Sequence, residues 1–164
     1  MNPQQTAEHK WLQKFVGEWT YETEAQMKPG EASMKFTGTE SVRSIGGLWI
    51  LAEGKGTMPD GSPATMLITL GYDPQKKRFV GTFVASMMTY LWQYDDGTLN
   101  GDTLTLPTVG PADCGDPSST GGKMATFRER VEFKSDDHRI FSSSVEGPDG
   151  QWTTIMTSHY RRVN

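Results

Sequence analysis

The chain has 164 residues, a formal net charge of −4 and a single cysteine, Cys114. This is the length of one domain, so we expect a single domain over residues 1–164. The acidic balance excludes the basic surface that nucleic-acid binding requires, and no polybasic run is suited to anionic lipid. One cysteine cannot form an internal disulfide, which fits a reducing compartment.

The sequence predicts neither a secretory nor a membrane segment. Its first ten residues lack both an apolar stretch and a cleavage-site pattern. No window approaches the roughly eighteen apolar residues that a transmembrane helix needs. A cytoplasmic location, with no nucleic-acid or membrane partner, is therefore expected.

A short helix is predicted at the N-terminus, followed by a strand. Thr6 is suited to cap the helix, and Trp11, Leu12 and Phe15 form an apolar stripe that would cover the mouth of a barrel. After Gly17 the apolar period changes to two, which is typical of a half-buried antiparallel strand.

About ten strands are predicted in all, separated by short turns rich in glycine, proline and aspartate. They cover approximately residues 19–27, 32–45, 49–58, 65–72, 78–85, 87–94, 103–107, 124–134, 139–146 and 151–163. Ten meandering strands leave unpaired edges unless the sheet closes or packs as a sandwich. We favour an all-β, antiparallel up-and-down barrel. The longest irregular segment, residues 108–122, is typical of a lid, a binding loop or a mobile loop.

Trp19 opens the first strand and Arg162 lies near the end of the last. If the sheet closes, the guanidinium can lie on the indole face, an arrangement that contributes about 0.5–2 kcal/mol. Tyr160 shares a strand face with Arg162. We interpret Trp19, Tyr160 and Arg162 as residues of structural closure.

Glu40 alternates with Met34, Phe36 and Val42, which predicts that it faces the interior. A buried carboxylate must be paired, hydrogen-bonded or neutralised. Glu40 could therefore anchor a ligand, act as a general base or pair with an arginine. A bulge after Gly38 would instead turn it outward.

Glu53 has an ambiguous strand face. It points inward if Trp49 and Leu51 do, and toward solvent if Ile50 and Ala52 face the interior. The glycines at 54 and 56 weaken either assignment.

Methionine and aromatic residues predict an adaptable apolar wall with polar handles, which suits a ligand cavity as well as a filled core. In the strand predicted at 87–94, Met88, Tyr90, Trp92 and Tyr94 share one face. The candidate pocket residues are Met34, Phe36, Glu40, Glu53, Met66, Met88, Tyr90, Trp92 and Met156.

The remaining polar residues predict no metal or cofactor site. The three histidines, at positions 9, 138 and 159, form no metal-binding motif, and a haem-ligand role for His159 is a minor alternative. Inward alternation of Phe127, Val131 and Phe133 would leave Arg128 and Arg130 in water and would place Glu129 inside. No nucleophile motif accompanies Cys114.

Several stretches from about residue 8 to residue 162 resemble bacterial proteins of the uncharacterised DUF1579 family. They are Glu8-His9-Lys10-Trp11-Leu12, Gly17-Glu18-Trp19-Thr20, Gly38-Thr39-Glu40, Gly46-Gly47-Leu48-Trp49, Leu70-Gly71-Tyr72-Asp73-Pro74, Arg78-Phe79-Val80-Gly81, Ser86-Met87-Met88-Thr89 and Tyr160-Arg161-Arg162. The resemblance implies a calycin-like barrel, similar to lipocalins and fatty-acid-binding proteins. It implies no activity and transfers no functional residue.

Three functions remain open. The first is a carrier or sensor of a small apolar or amphipathic ligand, which predicts an interior cavity of roughly 300–1,000 Å³. The second is an enzyme that performs acid–base chemistry with Glu40 or Glu53 as the base and Tyr90 as a hydrogen-bond donor. The third is a scaffold or homo-oligomer with a filled core, and a homodimer is compatible with each of the three.

Overall fold

The computed structural model describes residues 3–26, 30–114 and 122–163. Helix α1 (Ala7–Leu12) and a 3₁₀ turn (Gln13–Phe15) precede ten strands. The strands are β1 Gly17–Ala25, β2 Met34–Ile45, β3 Trp49–Thr57, β4 Pro63–Asp73, β5 Arg78–Ala85, β6 Trp92–Asn100, β7 Thr103–Pro111, β8 Met124–Ser135, β9 His138–Glu146 and β10 Trp152–Arg162. Of the predicted strand and loop residues, Met27 and positions 115–121 lie outside the described residues.

The strands form a closed antiparallel barrel in which every strand pairs with its neighbours in sequence and β1 pairs with β10. This confirms the predicted up-and-down barrel, and the sandwich alternative was wrong. The period-two pattern explains the architecture: β1 alternates strictly between exposed and buried residues from Glu18 to Ala25. Closure pairs the two strand edges that an open sheet would leave exposed.

The N-terminal segment covers one end of the barrel, as predicted. Thr6 caps α1 through a reciprocal pair of hydrogen bonds with His9. Leu12 and Phe15 are buried against the core. In the described part of the chain, no helix has the length and apolar character needed to cross a membrane.

We call the end beneath α1, where β1 begins and β10 ends, the capped end. The opposite end, where β1 ends and β6 begins, is the far end. The main core cluster packs toward the capped end and includes Trp19, Ile50 and Phe79. A second cluster of Trp92, Phe127 and Ile155 lies toward the far end.

Three predicted boundaries were wrong. Residues 95–100, predicted as turn residues, belong to β6. Residues 86–91 form a turn and an irregular segment, because the β5–β6 ladder resumes only at Trp92, opposite Phe83. Residues 108–111 belong to β7 although they include Gly110 and Pro111, because nine residue pairs with β8 hold this strand extended. The ladder from β7 to β6 ends at Thr105.

Candidate ligand-binding site

Trp19 and Arg162 join the two ends of the sheet. They are partners in the β1–β10 ladder, and the guanidinium carbon of Arg162 lies 4.2 Å from the Trp19 ring centroid. Arg162 also donates hydrogen bonds to the carbonyl oxygens of Val16 (2.8 Å) and Lys14 (2.9 Å). Gly17 has φ of +136°, and a Cβ atom there would collide with the Arg162 guanidinium. This cluster closes the barrel.

Glu40 faces the interior, as its alternation predicted, and forms an ion pair with Arg139. The side chains are 5% and 4% exposed, respectively. The Arg139 guanidinium also lies 3.9 Å from the Tyr160 ring centroid and 4.7 Å from that of Trp19. Burial, reinforced by the Glu40 carboxylate, raises the pKa of the Tyr160 hydroxyl. Of the alternatives that the sequence left open for Glu40, the structure contains the pairing with an arginine.

Glu53 lies on the outer face of the barrel, so its assignment as a pocket residue was wrong. In β3 it is Ile50 and Ala52 that face the interior, and strand alternation then directs Glu53 to solvent. Its carboxylate lies 3.4 Å from the Lys55 ammonium group, in an exposed pair.

The acid–base arrangement proposed from the sequence is not assembled. Glu40 is held by Arg139 toward the capped end, and Glu53 is outside. Tyr90 precedes β6 at the far end, where its hydroxyl donates to the Val109 carbonyl oxygen (3.3 Å). These groups do not converge on a common point, which that mechanism would require.

Inward-facing apolar side chains differ in exposure along the barrel. Toward the capped end, Ile50 and Phe79 are each 1% exposed. In the far half, the candidate pocket residues Phe36, Met66 and Met156 face inward in the ladders but are only half-buried. The inner wall of the far half is therefore partly exposed on β2, β4 and β10, whereas Trp92, Phe127 and Ile155 in the same half are buried.

Met34 begins β2 at the rim of the far end and is 40% exposed. It shares its strand face with Phe36, as the alternation predicted. Ile68 and Phe83, which were not among the candidates, extend the half-buried inward surface, since they face each other across β4 and β5.

Trp92, Tyr90 and Met88 lie together at the far end, although only Trp92 belongs to a strand. The ring centroids of Trp92 and Tyr90 are 5.2 Å apart, and those of Trp92 and Phe127 are 5.1 Å apart. The Trp92 indole packs where a side chain on Gly110 would otherwise lie. Its Nε1 atom is buried without a hydrogen-bond partner.

Glu129 is the functional candidate that sequence reasoning did not select, although alternation predicted it inside. It is 7% exposed, and Ser143 donates a hydrogen bond to its Oε1 atom (3.0 Å). The other carboxyl oxygen, Oε2, is buried without a partner. Burial raises the pKa of Glu129 to about 8, against the lowering effect of the Ser143 hydrogen bond. The sequence signal that could have identified it is a glutamate on the same inward strand face as Phe127 and Phe133.

Glu129 is expected to make folding stability depend on pH. Its pKa is raised from 4.5 to about 8 in the fold, so between these values the folded state keeps a proton that the unfolded state has lost. Its stabilising contribution is complete below pH 4.5 and falls by up to about 1.4 kcal/mol per pH unit toward pH 8. Urea unfolding should therefore show that Glu129→Gln gains stability relative to the original protein between pH 5 and pH 8. A difference in unfolding free energy between the two proteins that stays constant from pH 5 to pH 8 would contradict this prediction.

Two grooves lie on the surface of the described residues. The larger, of about 620 Å³, is lined by Tyr90, Gln93, Asp95 and Val109 among others and follows the region where β6 and β7 are unpaired. The smaller, of about 190 Å³, lies between β1 and β10 and includes Met156. Each includes one residue of the predicted pocket.

The histidines and the cysteine offer no metal centre. His138 and His159 stack side by side on the outer face, with 3.0 Å between Nε2 of His138 and Nδ1 of His159. Within the described ranges, no group of three or more His, Cys, Asp or Glu side chains could hold a metal ion. Burial, followed by the charge of Glu129, raises the pKa of the Cys114 thiol to about 11, so this cysteine is protonated at neutral pH.

The comparison with protein families decides the affiliation. Residues 4–162 match a family described as "Protein of unknown function (DUF1579)". The chain belongs to the DUF1579 family. This confirms the resemblance drawn from the sequence. No curated protein matches this DUF1579 chain.

Solved structures similar to this DUF1579 protein share its fold. Rv2717c from M. tuberculosis is 11% identical with a TM-score of 0.64, over 98% of this chain and 100% of its own. The S-type phycobiliprotein lyase CPES from Guillardia theta is 14% identical with a TM-score of 0.64, over 99% of each chain. EF1p2_mFAP2b bound to DFHBI is 13% identical with a TM-score of 0.50, over 94% of this chain and 98% of its own. At these identities the likeness establishes a lipocalin-like barrel.

Proposed function

We propose that this DUF1579 protein binds a small apolar or amphipathic molecule in the far half of its barrel, as a carrier or sensor. The proposal rests on apolar side chains of β2, β4, β5 and β10 that face inward in the far half but are only half-buried. On the inward face of β4, Met66 and Ile68 are half-buried, between the buried residues Ala64 and Leu70. An apolar ligand gains about 25 cal/mol for each Å² of such surface that it removes from water.

Buried polar atoms without partners support the proposal. The Tyr21 hydroxyl, the Trp92 indole nitrogen and Oε2 of Glu129 all belong to inward-facing residues and lack hydrogen-bond partners. Native proteins rarely leave such atoms unsatisfied, and ligand pockets combine apolar walls with a few polar groups of this kind. A bound molecule would supply the missing partners.

The structural neighbours support it by analogy. EF1p2_mFAP2b holds DFHBI, and the Guillardia theta protein is a phycobiliprotein lyase. Since likeness of fold does not transfer function, the argument for this chain rests on its own inner wall.

Titration with the neutral fluorescent probe N-phenyl-1-naphthylamine tests the proposed function. We expect saturable fluorescence enhancement by the original protein. Met66→Trp should weaken binding about tenfold or more because the larger side chain occupies the space beside Gly54. Leu67→Trp, on the outer face of the same strand, is the matched control and should bind like the original protein.

Native mass spectrometry of the purified protein should in addition show a copurified small molecule that denaturation releases. Absence of saturable probe binding would overturn the proposed function and favour a scaffold with a filled core. Equal effects of the two tryptophan substitutions would place any binding outside the barrel and would equally contradict it.

A further inference from the structure

We propose that the molecule bound in the far half carries a cationic amine, which is held by the carboxyl group of Glu129. This inference rests on the proposed function, because it names the chemical class of the ligand for the same site. It is drawn from the surroundings of Glu129, from its unpartnered oxygen and from the positions of the cations in the barrel.

The two buried acids among the described residues, Glu40 and Glu129, have different surroundings. Glu40 has the guanidinium of Arg139 as its partner. Glu129 lies opposite Leu106 of β7 and Ser143 of β9. Tyr94 of β6 is also near: burial raises the pKa of the Tyr94 hydroxyl, and the charge of Glu129 raises it further. None of these neighbours carries a positive charge.

After the end of β7, the Cys114 thiol interacts electrostatically with Glu129 and with Asp113, its neighbour in sequence. Burial and these two carboxylates raise the pKa of the Cys114 thiol to about 11, so the thiol is neutral at pH 7. The side of the site that faces Glu129 is therefore neutral or acidic.

The arginines nearest to Glu129 in sequence are directed elsewhere. The guanidinium carbon of Arg128 lies 4.3 Å from the ring centroid of Trp152, which is partly exposed, and Arg130 is exposed. Among the described residues, Arg139 is the one buried lysine or arginine, and it is engaged by Glu40. Among the described residues, no cation is therefore placed to stabilise the ionised form of Glu129.

An ammonium group matches this deficit. It would donate a charge-assisted hydrogen bond to Oε2 of Glu129, which has no other partner. The aromatic rings of Trp92 and Phe127 lie in the same half of the barrel, where they suit the apolar body of the ligand and attract a cation through their faces. An anionic head is disfavoured because it would be buried beside Glu129 without a cation among the described residues to compensate it.

Proton release gives the inference a distinct signature. Since burial raises the pKa of Glu129 to about 8, the free protein holds this carboxyl group protonated at pH 7. An ammonium ligand stabilises the carboxylate, so the proton leaves Glu129 for the buffer as the ion pair forms. A neutral ligand of the same shape would leave the proton in place.

Three ligands with a common body separate the two proposals: 2-(1-naphthyl)ethylamine, 2-(1-naphthyl)ethanol and 1-naphthylacetic acid. Isothermal titration calorimetry at pH 7 should show that the amine binds at least tenfold more tightly than the alcohol and that the acid binds most weakly. If all three bind with similar affinity, the proposed function stands and the amine inference is overturned. If none binds, both are overturned.

Glu129→Gln provides the variant test. It should weaken amine binding about tenfold or more and change alcohol binding less than about twofold. The matched control is Glu132→Gln, because this glutamate lies on the same strand and pairs with Lys134 on the outer face. Equal amine affinities in the original protein and in Glu129→Gln would overturn the inference.

The proton count tests the unmodified protein and does not depend on how the variant folds. The enthalpy of amine binding at pH 7 should differ between phosphate and Tris buffer, because the two buffers have different ionisation enthalpies. The size of the difference should correspond to nearly one proton released per amine bound. The alcohol should release none. Amine binding without proton release would show that Glu129 is not its partner.

Discussion

Arg139→Met is expected to lower the free energy of unfolding by about 3–5 kcal/mol, since it leaves Glu40 charged and buried without a partner. The ion pair is almost completely shielded from water, and the guanidinium also contacts the rings of Tyr160 and Trp19. Urea unfolding followed by tryptophan fluorescence measures the loss. The double variant Glu40→Leu with Arg139→Met should regain most of it, because it removes both charges together.

Lys134→Met is the matched control for the buried pair. It breaks the ion pair between Lys134 and Glu132, whose side chains are about half exposed. Because exposed ion pairs contribute about 0–1 kcal/mol, this variant should change stability little. If Arg139→Met were no more damaging than Lys134→Met, the assigned structural role of the interior pair would be wrong.

Trp19→Ala is expected to cost about 3–5 kcal/mol, the range for deleting a large buried side chain. Trp19 is 1% exposed, its Nε1 atom donates to the Phe15 carbonyl oxygen (2.8 Å), and Arg162 lies over its ring. The substitution therefore removes core volume at the seam between β1 and β10. Thermal and urea unfolding would measure the effect.

Trp152→Ala controls for the loss of a tryptophan in a strand. Trp152 is 37% exposed, and the Arg128 guanidinium carbon lies 4.3 Å from its ring centroid. We expect a loss of about 1 kcal/mol or less, in line with an exposed cation–π contact. Similar losses for the two variants would show that the seam does not depend on Trp19.

Much of the fold could be predicted from the sequence because its signals are local. Alternation identified the inward faces of β1 and β2, including Glu40, and turn residues separated the ten strands. The capping residue Thr6 and the apolar residues Leu12 and Phe15 likewise act within a few positions of one another. Such patterns reflect backbone geometry that each segment imposes on itself.

The errors arose where pairing between distant strands decides the outcome. The aromatic alternation of residues 87–94 resembled a strand, but the chain turns after Ala85 and pairing resumes at Trp92. Gly110 and Pro111 resembled a loop, but pairing with β8 extends them. Glu53 had two local interpretations, and its neighbours in β2 and β4 selected the outward one.

Local sequence patterns were sufficient to predict a ten-stranded antiparallel barrel, a helical cap and an acid on the inner face of β2, because side-chain alternation and turn chemistry act between residues close in sequence. Contacts between strands distant in sequence determine that Arg139, 99 positions from Glu40, neutralises that acid and that Glu129 has no such partner. Closure of the barrel brings residues from distant strands into one low-dielectric interior. There, the presence or absence of a compensating charge separates a structural ion pair from the candidate ligand anchor.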